Sequence, residues 1–152
     1  MKRIWLSLLL CMLILNTPLA YGVDNERQTI PHFDINGYQI EGNTLLEKTE
    51  IDALLAPFTG RQKDFNTVQE SIEALKRAYS SRGFSTVRVV LPEQNLKDGR
   101  IRLVVMETII SSVTIEGNKY FDDKNIRRSI PALREGGAPN LRKISSSLKA
   151  AN

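Results

Sequence analysis

Residues 40–43 read Ile-Glu-Gly-Asn, and residues 115–118 read Ile-Glu-Gly-Asn again, 75 positions later. Each copy closes a strand-like stretch. Each leads into an apolar pair, Leu45-Leu46 in the first and Tyr120-Phe121 in the second, and then into a helix-like segment. A repeated punctuation mark in a repeated context predicts a repeated structural unit. Too few residues follow Asn118 to copy everything that follows Asn43, so the expectation is one complete small domain and an incomplete second.

Working outward from the first copy, residues 33–41 read as a strand. Phe33 and Ile35 share one parity, Tyr38 and Ile40 the other, and a bulge at Gly37 would restore one face. Ile51, Leu54, Leu55 and Phe58 follow the i, i+3, i+4, i+7 spacing of a helix. Thr49 is its expected N-cap, and Pro57 and Gly60 mark its end. A second helix carries Val68, Ile72, Leu75 and Tyr79 as its buried stripe, with Thr67 and Glu70 as a capping box. Gly83, followed by Phe84, is the expected left-handed terminator. Two alternating strands follow. In residues 86–91, Val87, Val89 and Leu91 share one side; in residues 100–106, Ile101, Leu103 and Val105 do. The order strand, helix, helix, strand, strand predicts an α+β fold of two layers, a three-stranded sheet with two helices on one face. The second unit offers a strand over 109–116, a helix over 122–130 and the start of another at 141.

The N-terminus has the layout of a secretory signal peptide over residues 1–22. Lys2 and Arg3 precede an apolar run of 12 residues, 4–15, which would span only about 18 Å against a bilayer core of about 30 Å. Cys11, the one cysteine, lies in that run. Cleavage after Gly22 leaves 130 residues with no disulfide, whose stability must come from packing. Their net charge is +2, against +4 for the whole chain, with acidic and basic residues interleaved, which argues against a nucleic-acid surface. The expected organisation is a signal peptide (1–22), a flexible lead-in (23–32), a complete domain (33–107) and a partial copy (108–152).

Catalytic and metal-binding patterns are missing from the sequence. His32 is the single histidine and precedes the first strand. No CxxC, HExxH or GxSxG pattern occurs, and Gly136-Gly137 lacks the Lys-Ser/Thr of a phosphate loop. The expectation is no enzyme, no metal and no cofactor. The chemistry that remains belongs to the backbone. A strand over 86–91 at a sheet edge has free N–H and C=O groups that can accept an extended polypeptide. Arg88 and Pro92 can equally protect that edge, and the residues leave both readings open.

Several stretches carry a family likeness: Gly42-Asn43-Thr44-Leu45-Leu46, Ala78-Tyr79 with Arg82-Gly83-Phe84, and Leu91-Pro92-Glu93-Gln94 with Gly99. The second unit adds Glu116-Gly117-Asn118, Asn125-Ile126-Arg127 and Pro139-Asn140. The chain thereby resembles the POTRA domains of two-partner-secretion translocators (TpsB, the ShlB-type haemolysin secretion/activation proteins). The resemblance implies that the last strand is central and residues 86–91 form an edge. It implies a partner too, an unfolded exoprotein (haemolysin or adhesin) met on the periplasmic side of the outer membrane. Delivery is to an outer-membrane β-barrel that this chain lacks, as a truncated form would. The implied partner groove comprises Lys76, Tyr79, Ser80, Thr86, Arg88 and Val90, and a proline at Val90 is expected to remove an edge donor. A membrane-anchored POTRA scaffold and a non-functional fragment are the alternatives.

Overall fold

The computed structural model describes residues 31–96 and 98–151. The expected signal peptide and most of the lead-in lie outside these described residues.

The first segment divides. β1 (Phe33–Ile35) and β2 (Gly37–Glu41) belong to different sheets. The parity change foreseen as a bulge at Gly37 is a change of partner at Asn36. There the Asn36 N–H donates to the Gly99 carbonyl at 2.6 Å, and its side-chain amide reaches the Asp98 carbonyl at 3.2 Å. β1 then pairs antiparallel with β3 (Gly60–Lys63), while β2 runs parallel to the strand at residues 100–106. β3 has no alternation to betray it, since Gly60, Arg61 and Gln62 are all exposed. Its conformation comes from its partner, and Gln62 takes a positive φ of 55° with its N–H on the Asp34 carboxylate.

α1 (Lys48–Leu55) continues into a 3-10 turn at Ala56–Phe58. Its cap position is Glu47, which makes no side-chain bond, and Thr49 lies inside the first turn. α2 (Phe65–Ser81) starts before the capping box expected at Thr67. Asp64 is the cap; its carboxylate accepts the Thr67 N–H at 2.9 Å, so the helix extends back to the nearest residue able to satisfy its first donors. The same bonds hold the Asp64 carboxyl below its ordinary range, the Thr67 backbone N–H contributing most. α2 ends as foreseen. Gly83 adopts φ +95°, its N–H meets the Ser80 carbonyl, and the Phe84 N–H meets the Tyr79 carbonyl, the paired bonds of a Schellman motif.

β4 (Arg88–Val90) and β5 (Arg100–Met106) complete a three-stranded sheet of order β2-β5-β4. Ile101, Leu103 and Val105 alternate into one face and are fully or almost fully buried. They meet Ile51 and Leu55 of α1 and Val68, Ile72, Leu75 and Tyr79 of α2 in one cluster. Both helices therefore cover one face, because both apolar stripes need the same apolar side of the sheet. Each such Val, Leu or Ile contributes roughly 1.5–3 kcal/mol on burial.

Beyond β5, residues 109–116 form no strand. Extended backbone needs a neighbouring strand, and among the described residues none lies beside it. The Ile110 N–H and C=O instead pair with Gly137 and Gly136, and the Val113 N–H donates to the Glu135 carboxylate at 3.0 Å. α3 (Asp123–Ser129) is capped by Asp122, and α4 (Leu141–Ala151) follows.

The repeated tetrapeptide builds the same turn twice. Gly42 and Gly117 take φ of +79° and +75°. The Asn43 side-chain amide donates to the Leu46 carbonyl at 2.8 Å, and that of Asn118 to the Phe121 carbonyl at 2.9 Å. The surroundings differ. A Cβ on Gly42 would fall 2.3 Å from the Val105 carbonyl oxygen, whereas one on Gly117 would meet nothing within 4 Å.

Candidate functional site: an open sheet edge

β4 lies at one end of the sheet and, among the described residues, pairs only with β5. The in-plane direction of its backbone follows from two observations on β5. The Arg102 N–H donates to Gln94 Oε1 at 2.7 Å, and Gln94 Nε2 donates to the Arg102 carbonyl at 2.9 Å. Both backbone groups of Arg102 thus face the β4 side. The Val105 carbonyl faces Gly42, on the β2 side. Backbone direction alternates along a strand, so Val104 and Met106 also face β4. Their register partners are Val90 and Arg88. Those two residues use their N–H and C=O groups on β5, and Val89 directs its own outward to the open edge.

Side chains alternate in the other dimension. Val89 packs against the core, while Arg88 and Val90 are exposed on the sheet face away from the helices. The edge is short. Val87 donates to Phe84, Thr86 sits in a turn with its carbonyl accepting from the Thr108 hydroxyl, and Pro92 closes the other end.

This geometry corrects the expected groove. Tyr79 is fully buried and cannot touch a partner. Its hydroxyl donates to Asn43 Oδ1 at 2.6 Å. Burial pushes its phenol well up, and the negative charge of Glu107 adds to the shift, so it stays a neutral donor. Lys76 and Ser80 are exposed on the helical layer, and Lys76 pairs with Glu73 at 2.8 Å. Arg88 and Val90 lie on the far side of the sheet and Thr86 outside the strand, so no single groove unites the six. Val90 is not an edge donor either, because its N–H is turned to Val104. Sequence reasoning missed Val89, although the alternation that sent its side chain inward also carried the signal.

The Leu-Pro-Glu-Gln stretch is scaffolding. Leu91 packs on the core, Pro92 stops β4, and Glu93 is exposed. Gln94 continues the sheet with its side-chain amide where β4 has ended. Gly99 takes φ +63°, and a Cβ there would fall 2.5 Å from the Asn36 side-chain nitrogen. Gln94→Ala should cost about 1–3 kcal/mol by orphaning the Arg102 groups, read as a lower urea midpoint at unchanged slope. A midpoint equal to wild type would show that the clamp adds nothing. Among the described residues, no group of three or more His, Cys, Asp or Glu side chains is placed to hold a metal ion. No helix of those residues is long and apolar enough to cross a membrane.

A two-layer module with a capped, open-edged sheet of this topology is a POTRA fold, and residues 33–108 match the family model for the POTRA domain, ShlB-type. The chain belongs to that family. It is 28% identical over 122 residues to the outer membrane transporter CdiB of Escherichia coli, covering 80% of this chain and 20% of that protein. To the outer membrane transporter CdiB of Dickeya dadantii it is 29% identical over 139 residues, covering 91% of this chain and 24% of the relative. The solved structure of CdiB from Escherichia coli superposes with a TM-score of 0.70 at 25% identity, over 91% of this chain and 25% of that one. The N-terminal domain of Omp85 from Thermosynechococcus elongatus shares the fold, with a TM-score of 0.65 at 23% identity over 80% of this chain and 55% of that one. The chain thus spans a quarter or less of the length of the transporters it matches. Those curated relatives are outer membrane transporters.

Proposed function

We propose that this chain is the substrate-recognition region of a two-partner-secretion translocator. It receives an unfolded exoprotein, of the haemolysin or adhesin class, on the periplasmic side of the outer membrane. The exoprotein adds a strand to β4 and is passed to a transmembrane β-barrel. Residues 108–152 belong, in this reading, to a second POTRA unit. No catalysis is involved; main-chain hydrogen bonds supply the affinity. One observation carries the reading. Val89 has its side chain in the core and its backbone N–H and C=O facing outward, so the edge offers hydrogen bonds without disturbing the packing behind it.

The test is a binding titration with the N-terminal secretion domain of an exoprotein encoded beside the gene. Val89→Pro removes the outward donor and should weaken binding about tenfold or more, whereas Val89→Ala keeps the N–H and should bind nearly as wild type. Amide shift changes on binding should follow Arg88–Val90. Changes confined to Gly37–Glu41, the opposite edge, or full binding by Val89→Pro would sink strand addition at β4.

A further inference from the structure

We infer that Asn140 is a positioning residue that locks the second unit onto the first in one orientation. It is a polar side chain only 7% exposed, at the start of α4, and it works in two directions. Its Oδ1 accepts the Lys143 N–H at 3.0 Å, capping α4. Its Nδ2 donates to the Arg82 carbonyl at 2.8 Å, 58 residues away, just past the end of α2. The next N–H, that of Leu141, donates to the Gly83 carbonyl at 2.9 Å.

The carbonyls at the α2 terminus are thus shared between two sets of donors. Its Schellman bonds occupy the Tyr79 and Ser80 carbonyls, and the α4 terminus takes those of Arg82 and Gly83. A helix C-terminus carries partial negative charge and a helix N-terminus partial positive charge, so the contact also aligns opposite ends of two dipoles. Gly83 serves both purposes. Its φ of +95° ends α2, and its missing side chain leaves room for Asn140, since a Cβ there would fall 2.3 Å from Asn140 Oδ1. The two units therefore present the β4 edge and the α3–α4 face at a fixed angle, which a plain linker over residues 108–122 would leave free.

Capping and locking are separable. Asn140→Asp caps a helix as well as asparagine does but cannot donate to Arg82. Asn140→Ser also caps and is too short to reach. Residual dipolar couplings of the wild-type chain should fit one alignment frame for both units. In both variants α4 should keep its helical shifts while the units need separate frames, and the Leu141 amide should exchange roughly fivefold faster or more. Were α4 to melt in one variant, the other decides. A single frame and unchanged Leu141 protection in a variant with α4 intact would overturn the inference.

Discussion

Tyr79→Ala should remove about 3–5 kcal/mol from the first unit, the usual cost of truncating a buried aromatic. A domain of this size has a total of only about 5–15 kcal/mol, so little of its cooperative unfolding should survive. The ring sits at zero exposure in the core cluster that links both helices to β5. Its hydroxyl holds Asn43, which in turn holds the turn after β2 through Leu46. Glu107 binds the same turn from the end of β5, accepting the Thr44 and Leu45 N–H groups at 2.8 and 3.1 Å. Tyr79→Phe keeps the ring and should cost only about 1 kcal/mol, the net worth of one hydrogen bond. Urea titration of both variants separates the two contributions. Exoprotein binding by folded Tyr79→Phe should match wild type, because nothing of Tyr79 reaches the surface. A selective loss of binding in that variant would return Tyr79 to the partner site.

Gly42→Ala and Gly117→Ala should differ sharply although they change the same tetrapeptide. Both place an L side chain at positive φ, which costs about 1–2 kcal/mol. At Gly42 the new Cβ also lands 2.3 Å from the Val105 carbonyl oxygen. That oxygen belongs to the central strand, so relief requires opening the β2–β5 ladder, and overpacking of this kind adds about 1–3 kcal/mol. At Gly117 nothing stands within 4 Å, and only the strain remains. Thermal or urea unfolding should therefore show a large fall in midpoint for Gly42→Ala and a small one for Gly117→Ala. Equal losses would mean that residues 115–118 have a close backbone neighbour after all.

The stripe Val68, Ile72, Leu75, Tyr79 and the alternation Ile101, Leu103, Val105 were legible because burial follows the periods of helix and strand. So was Gly83, whose role depends only on its own φ and the helix before it. Asp64 was overlooked in favour of Thr67 because two good capping residues stood within one turn and only packing selects between them. β3 escaped because four polar residues become a strand only when β1 lies beside them. Residues 109–116 carried strand composition, yet a strand is made by its neighbour.

The candidate site shows the same division. The edge position of residues 88–90 was anticipated. Which residue of the edge faces outward was not, because that depends on the register of β4 against β5 and on the Gln94 clamp on Arg102. By itself the sequence determined the two-layer α+β class, the apolar stripes, the helix terminator and the repeated Gly-Asn turn, all of them local in period or in backbone conformation. Only the tertiary structure decided that the Tyr79 hydroxyl is spent on Asn43, that Val89 and not Val90 carries the free donor, and that Asn140 joins two helix ends 58 residues apart. Those features rest on contacts between distant segments, and no periodicity along the chain encodes them.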